Sequence, residues 1–169
     1  RNYSYLSNSG FSLDSRMDIG DLRSEDNKSK LLAIVSAQGE LVKPITGPWS
    51  GSLTTSVGWS AIVGGGLVPE GEKFRYGGAA TLRGYQEKIF RSNWMVIQQF
   101  ELRYQLGNKV RLYSFLDGAQ HSFPERPLAV GIGLRQTTAL GLLTVEYAVN
   151  NDSRPSEGKI HIRISGEIK

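Results

Sequence analysis

Hydrophobic and polar residues alternate along much of this sequence. The clearest case lies between positions 94 and 105. One parity of that stretch contains Trp94, Val96, Phe100, Leu102 and Tyr104, and the other contains Gln99, Glu101, Arg103 and Gln105. A period of two is the pattern of a β-strand whose two faces meet different surroundings. No helical period of comparable length occurs, so the sequence predicts an all-β protein.

The alternation recurs along the chain, and a pattern repeated this often is not expected by chance. It is clear at 11–19, 53–63 and 110–117, and in a last segment where Ile160, Ile162, Ile164 and Ile168 oppose Lys159, His161, Arg163 and Glu167. Segments 31–40, 128–136 and 140–149 also resemble strands, with less distinct faces. About eight strands of near ten residues result, longer than the usual five or six. That length crosses a bilayer when a strand is tilted, so we predict an antiparallel meander of transmembrane strands.

The connections between these segments differ in length. Short turns are predicted at 106–108 and 137–139, the link at 41–50 is intermediate, and longer polar connections are predicted at 20–30, 64–93, 118–127 and 150–158. Outer-membrane barrels show this asymmetry, with short periplasmic turns and longer outer loops. The pattern predicts that the 64–93 loop starts on the outer side and that the chain ends on the periplasmic side.

Aromatic residues fall near the predicted strand ends, at Trp49, Trp94, Tyr104 and Tyr147. Such residues form interfacial girdles in membrane barrels. They also form ordinary cross-strand packing, and the residues alone leave the two interpretations open.

The amino-acid composition further restricts the class of protein. The chain has 169 residues, 39% of them hydrophobic, and contains no run of about 18 apolar residues. Its 20 glycines are many, and it has no cysteine, which excludes a disulfide scaffold and a Cys-based zinc site. The net charge of +4 is small and its basic residues are spread out, so nucleic acid is not a predicted partner. The absence of an initiator Met before Arg1 favours a mature or truncated piece.

The 64–93 loop contains the most informative pattern, Phe74-x-x-Gly77-Gly78-x-x-x-Leu82-Arg83-Gly84-Tyr85. Glycine-rich loops are usually flexible surface loops, and a phosphate-binding loop is disfavoured because no Gly-Lys-Ser/Thr occurs. The pattern resembles the loop signature of BamA/TamA-type outer-membrane assembly factors. Two-partner-secretion transporters such as FhaC carry a similar signature.

Downstream segments add to the resemblance. Phe115-x-Asp117 is similar to the family's Phe-x-Asp-x-Gly strand motif, although the glycine comes one place early, as Gly118. Glu101 matches an acidic residue on the strand after the loop. The segments 131–135 and 141–148 resemble the last strands of those barrels, and five strands after the loop are expected. The resemblance is specific from 74 to 148 and weak before 50.

The resemblance implies a role for Arg83. In the family, the equivalent arginine holds the loop inside the barrel. Glu101 and Asp117 lie on the face opposite the apolar residues, so both would point into the lumen, where Arg83 would reach them. Phe115, Leu82, Gly84, Tyr85, Gly77 and Gly78 complete the expected loop site. The alternative interpretation is that Arg83 is an ordinary solvent-exposed arginine of a loop.

The chain departs from the family pattern in two respects. The family barrel has sixteen strands and this chain has about half, so residues 1–169 are expected to be one barrel domain or a barrel fragment. The missing strands and the periplasmic domains would lie upstream. The chain also ends without the terminal aromatic residue usual in such barrels. Eight strands alone would close into a small barrel or pair with a second copy.

Catalysis finds little support in the sequence. His121 and His161 lack metal-ligand spacing, and no Gly-x-Ser-x-Gly elbow occurs. Glu101 and Asp117 as an acid/base pair are disfavoured, because a nearby arginine would keep both ionised. We therefore expect a non-enzymatic protein without a cofactor or metal.

Two functions remain as hypotheses. The first is an outer-membrane barrel that inserts or translocates other proteins, with outer-membrane lipid, client proteins and accessory periplasmic proteins as partners. The second is a small free-standing barrel that binds a ligand or partner. The charges of the less apolar face, including Arg103, Arg111 and Arg163, do not suit the dry cavity that the second would need.

Overall fold

Eight strands form one antiparallel sheet in the computed structural model, which describes residues 9–23 and 29–166. These strands are β1 (Gly10–Arg23), β2 (Ser29–Thr46), β3 (Trp49–Ile62), β6 (Trp94–Leu106), β7 (Val110–His121), β8 (Leu128–Thr138), β9 (Gly141–Asn150) and β10 (Lys159–Ser165). Each strand pairs with its neighbours in that order. Two short strands, β4 (Phe74–Tyr76) and β5 (Phe90–Ser92), pair with each other inside the connection from β3 to β6.

The predicted all-β meander is confirmed. The sheet strands contain between 7 and 18 residues, and five of them follow the long loop, as expected. The other regular elements of the described ranges are two single 3-10 turns, Glu70–Glu72 and Pro155–Glu157. Within the same ranges, no helix is long and apolar enough to span a membrane.

The prediction of an intermediate link at 41–50 is wrong. β2 continues to Thr46, and β3 begins at Trp49 after a two-residue turn. Pro44 lies within β2, where the register shifts between Pro44 and Thr46. A proline is tolerated there because, within the described residues, β1 pairs with β2 only as far as Val42, so that Pro44 has no described neighbour on that side.

Two other connections are shorter than predicted. β1 and β2 extend into the 20–30 interval, and residues 24–28 between them lie outside the described ranges. β7 extends to His121 and β8 begins at Leu128, which leaves 122–127 as the connection. The predicted alternation of Glu167 and Ile168 also lies outside the described residues.

The two faces of the sheet differ in polarity. We call the face that the 63–93 connection covers the inner face. Strand β7 shows the alternation most clearly, because every second residue from Arg111 to His121 is buried while Leu112 and Leu116 on the other face are exposed. The exposed apolar side chains of the outer face continue across neighbouring strands, including Leu53, Phe100, Val130, Ile132 and Ile162. An apolar outer face and a polar inner face are the arrangement of a membrane barrel.

Aromatic residues lie at two levels of the outer face. Trp49 and Tyr104 pack edge to face with their ring centroids 4.9 Å apart, and Trp59 lies opposite Trp94 in the β3–β6 register. A strand rises about 3.3 Å per residue, so the two levels are roughly 33 Å apart along β6. A tilt of about 40° reduces this to about 25 Å across the membrane, the height of the apolar band in such barrels.

The sheet is not closed within the described residues. β1 pairs only with β2, and β10 pairs only with β9. The long connections, including 63–93, 122–127 and 151–158, lie at one end of the strands. The short turns at 47–48, 107–109 and 139–140 lie at the other end. This is the connection asymmetry that the sequence predicts for a barrel in the outer membrane.

We expect Gly131→Ala to destabilise the barrel. A methyl group at this position of β8 would lie 2.3 Å from the Tyr147 carbonyl oxygen and from the Phe115 ring. Overpacking of this kind costs about 1–3 kcal/mol. The measurement is the temperature at which the full-length protein loses its compact, fast-migrating band on a detergent gel. Gly51→Ala is the control, because its nearest neighbour, on Ile45, would be 3.7 Å away. Equal midpoints for the two variants would contradict the prediction.

Candidate functional site: the Arg83 loop on the inner face

The 63–93 connection folds back over the inner face. Tyr76, Leu82 and Tyr85 are buried and pack against Ile97 of β6, Ala119 of β7 and Ala129 of β8. Phe90 of β5 stacks on Tyr76 at a centroid distance of 5.3 Å. Burial of apolar area is the main favourable contribution to such a contact, so apolar side chains of the loop stabilise its position on the sheet.

A tight turn shapes the loop just before its tip. The backbone N–H groups of Thr81 and Leu82 both donate to the Gly78 carbonyl, at 3.2 and 3.1 Å. The Thr81 hydroxyl donates to the Gly77 carbonyl at 3.0 Å. Gly77 and Gly78 have φ values of 117° and 88°, a region that other residues rarely adopt. The two glycines therefore allow the turn that brings Leu82 and Arg83 onto the inner face.

Arg83 is 2% exposed and contacts carboxylates from three strands. It binds Asp117 of β7 in a bidentate manner, with Nε–Oδ2 at 2.7 Å and Nη2–Oδ1 at 2.6 Å, and its backbone N–H also donates to Asp117 Oδ2 at 3.1 Å. Its Nη1 donates to Glu101 of β6 at 2.7 Å and to Glu146 of β9 at 2.9 Å. The guanidinium carbon lies 3.6 Å from the Phe115 ring centroid. Every Arg83 nitrogen thus has a carboxylate partner.

Two further arginines surround Glu101. Arg135 of β8 donates to both of its carboxylate oxygens, at 2.9 and 2.8 Å, and Arg103 of β6 donates to Oε2 at 2.7 Å. Arg103 also reaches Glu40 of β2 at 2.8 Å. The ion pairs thus extend across the inner face from β2 to β9.

Gly84 and Tyr85 attach the loop tip to the end of the sheet. The Gly84 N–H donates to His161 Nε2 at 3.2 Å, and the Asn150 amide donates to the Gly84 carbonyl at 2.7 Å. The Tyr85 hydroxyl donates to Asn151 Oδ1 at 2.5 Å. Burial, with the nearby charge of Asp152, raises the pKa of Tyr85 to about 12, so this hydroxyl remains a donor at physiological pH.

The charge of Arg83 depends on its carboxylate partners. Burial on its own would lower the pKa of this guanidinium, but the hydrogen bonds and charge of Asp117, together with Glu101 and Glu146, outweigh burial and raise it. A buried ion pair gains little net stability over apolar packing, yet removing one partner costs about 3–5 kcal/mol. The network therefore makes the loop position highly sensitive to the loss of any one of its charges.

The predicted site residues lie together. The structure brings Arg83, Glu101, Asp117 and Phe115 into direct contact, with Leu82, Gly84 and Tyr85 beside them and Gly77 and Gly78 in the preceding turn. Sequence reasoning missed three partners, Glu146, Arg135 and His161. Glu146 lies in the 141–148 segment, which resembles the family. Its position on the inner-face parity of that strand could have indicated a contact with the loop. Among the described residues, no group of three His, Cys, Asp or Glu side chains is arranged to hold a metal ion.

We expect Asp117→Asn to destabilise the protein by about 3–5 kcal/mol, because it leaves the buried Arg83 without its bidentate carboxylate. The matched control is Asp152→Asn, which changes an exposed carboxylate 3.5 Å from the Tyr85 hydroxyl. The control should change stability by no more than about 0.5 kcal/mol. Urea unfolding of the full-length protein in detergent micelles measures both changes, and equal midpoints would refute the prediction.

Known proteins provide an independent comparison. A family model described as the Omp85 superfamily domain matches residues 1–168. Among solved structures, the chain is similar to BamA from Haemophilus ducreyi lacking POTRA domains 1–3, with a TM-score of 0.72 and 19% sequence identity. That match covers 95% of this chain and 38% of the BamA chain, and at this identity it shows the fold. No protein of curated function matches the sequence.

These findings confirm the predicted resemblance. The fold is that of the C-terminal barrel portion of a BamA-type protein, and the chain spans 38% of the structure that it matches. The localisation is the outer membrane. The chain belongs to the Omp85 superfamily.

Proposed function

We propose that this chain is the part of an outer-membrane assembly or secretion barrel that carries the Arg83 loop, and that the loop holds the barrel in its working conformation. One observation carries the proposal: a single loop arginine contacts carboxylates from β6, β7 and β9 at 2.6 to 2.9 Å. A connection that only joined β3 to β6 would not need a buried guanidinium. Residues 64–93 are then an inward-folded loop.

The loop acts by linking strands that are not all neighbours. β6 and β7 are adjacent, whereas β9 is separated from β7 by β8. Because Arg83 is bonded to all three, its position ties their relative placement to that of the loop. Release of the guanidinium would free the loop and remove its link between these strands.

The proposed action on clients is physical and needs no bond-making step. An unpaired strand edge offers backbone N–H and C=O groups, and an incoming client strand pairs with such groups. The client is an outer-membrane or secreted protein with exposed β-strands, and the apolar outer face of the barrel contacts the membrane lipid. Accessory periplasmic proteins would act together with domains outside this chain. No cofactor, metal or catalytic residue enters this proposal.

The alternative is a small free-standing barrel without translocation activity. The inner face argues against a dry ligand cavity, because the loop and charged side chains including Arg83, Asp117 and Glu146 occupy it. The two proposals differ in the size of the native protein. An antibody to residues 64–93 should detect a heat-modifiable outer-membrane band far above 18.6 kDa. A band near 18.6 kDa would support the small barrel.

In the full-length protein, we expect Arg83→Ala to loosen the loop and reduce client assembly. The loss of a buried charge partner, worth about 3 kcal/mol or more, would raise the population of the released loop by about 100-fold. Chymotrypsin cleavage after Tyr85, which is 4% exposed, reports release. Folding of a reporter barrel by the purified protein in lipid vesicles reports activity.

Arg91→Ala is the matched control, because Arg91 is an exposed arginine of the same loop. It should leave both the cleavage after Tyr85 and the assembly rate unchanged. If Arg83→Ala shows the cleavage of the wild-type protein, the loop is not held by Arg83 and the proposed lock is wrong. Faster cleavage with a normal assembly rate would retain the lock as a structural feature and remove it from the function.

A further inference from the structure

The tip of the Arg83 loop is bonded to the last described strand. Gly84 donates its N–H to His161 Nε2 on β10 at 3.2 Å, and its carbonyl accepts from Asn150 at the end of β9. The hydrogen bonds of one residue therefore link the loop to both of the last two strands. His161 is the β10 residue that faces Glu146 in the β9–β10 register, so it lies beside the carboxylate that binds Arg83.

Little space separates Gly84 from the sheet. Its φ is 84°, and a methyl group at this position would lie 3.1 Å from the Ala129 side chain and 3.4 Å from that of Ala148. Both alanines are buried on the inner face. This close approach aligns the Gly84 N–H with the imidazole, so the geometry depends on backbone placement and not on a flexible side chain of the loop.

Strand β10 has few attachments within the described ranges. It pairs with β9 alone, and its inner face reaches the loop twice, through His161 and through Arg163, whose Nη1 donates to the Ala79 carbonyl at 3.4 Å. An edge strand with one backbone partner separates more readily than a central strand. Within the described ranges, the contacts of the loop therefore add side-chain attachments to the backbone pairing of β10 with β9.

The contact with Gly84 requires an imidazole nitrogen without a proton. A neutral histidine has one acceptor nitrogen, and a protonated histidine has none. The charged groups that face this imidazole are Glu146 of β9, Glu87 and Arg83 of the loop, and Lys159 and Arg163 of β10. Protonation would remove the acceptor and add a positive charge to a site that already holds three cations and two carboxylates.

We propose that His161 is a positioning residue that fixes β10 to the loop tip while its Nε2 carries no proton, and that protonation of this nitrogen disconnects the two. The inference rests on the proposed function of the loop and adds to it a proton-sensitive link to the edge of the sheet. In this arrangement, the availability of the β10 edge depends on whether the loop is seated, and on pH.

Two substitutions at position 161 distinguish the effect of the hydrogen-bond acceptor from the effect of side-chain volume. His161→Gln keeps a neutral side-chain oxygen that accepts from Gly84, whereas His161→Leu removes the acceptor. Ser165→Ala is the control, because Ser165 is an exposed, uncharged residue on the same face of the same strand. The full-length protein is incubated at about pH 7.5 and about pH 5.5, on either side of the usual histidine pKa of about 6.5. Papain, which is active at both values, then cleaves exposed loops, and cleavage within 82–86 is normalised to cleavage near the exposed Leu67.

The proposal predicts a different pattern for each protein. Wild-type and Ser165→Ala proteins should show about fivefold more cleavage of the tip at the lower pH, the factor expected for one hydrogen bond. His161→Leu should show the raised cleavage at both pH values, and His161→Gln the low cleavage at both. If pH dependence persists in His161→Gln, or if the Leu and Gln variants behave alike, the assignment of His161 is overturned.

Hydrogen exchange tests the link to β10 itself. Peptides covering 159–165 should exchange about fivefold faster in His161→Leu than in the wild type, after correction for the intrinsic rate, and should exchange normally in His161→Gln. Arg83→Ala is measured in parallel. If it exposes the tip but His161→Leu leaves β10 unchanged, the further inference fails while the proposed lock stands. If Arg83→Ala leaves the tip protected, the proposed lock fails.

Discussion

A buried guanidinium is the constraint on which this structure depends. Charges of that kind are not tolerated in a protein interior unless they are paired and hydrogen-bonded, and Arg83 meets that condition only where Asp117, Glu101 and Glu146 converge. Those carboxylates belong to three strands, so the condition is met by one register of β6 to β9. A slip of one residue in any of these strands would turn its carboxylate to the lipid side. The loop and the sheet register therefore specify each other.

The two faces of the sheet meet different surroundings and carry different side chains. On the outer face, exposed side chains such as Phe100 and Ile132 are apolar, and they match a hydrocarbon solvent that offers no hydrogen bonds. On the inner face, the same strands present charged and hydroxyl side chains that an apolar core would exclude. Period-two alternation makes both possible in strands of 7 to 18 residues. The polar face then needs a polar cover, and a loop carrying its own arginine provides one.

The sequence predicts the strands and their inner and outer faces well, because alternation is a local property. It also predicts the contacts of Arg83 with Asp117 and Glu101, since the family resemblance supplied the pairing and parity supplied the direction of the carboxylates. Glu146 and His161 were missed because their contacts with Arg83 and Gly84 depend on the register of the strands from β6 to β10, which no local pattern encodes. The 41–50 link was predicted wrongly because no local pattern shows that β2 continues past Pro44, which has no described neighbour on the β1 side.

The apolar and charged contacts of the loop contribute differently. Burial of Tyr76, Leu82 and Tyr85 against the sheet lowers the free energy of the inserted loop. This term follows the apolar area that is buried and has no directional requirement. The ion pairs recover little beyond the cost of desolvating their charges, but they fail if any partner moves. Apolar contacts thus keep the loop inside, whereas Arg83 and its carboxylates decide where it sits. A change at the charges therefore alters the position of the loop first, while the apolar contacts still favour its burial against the sheet.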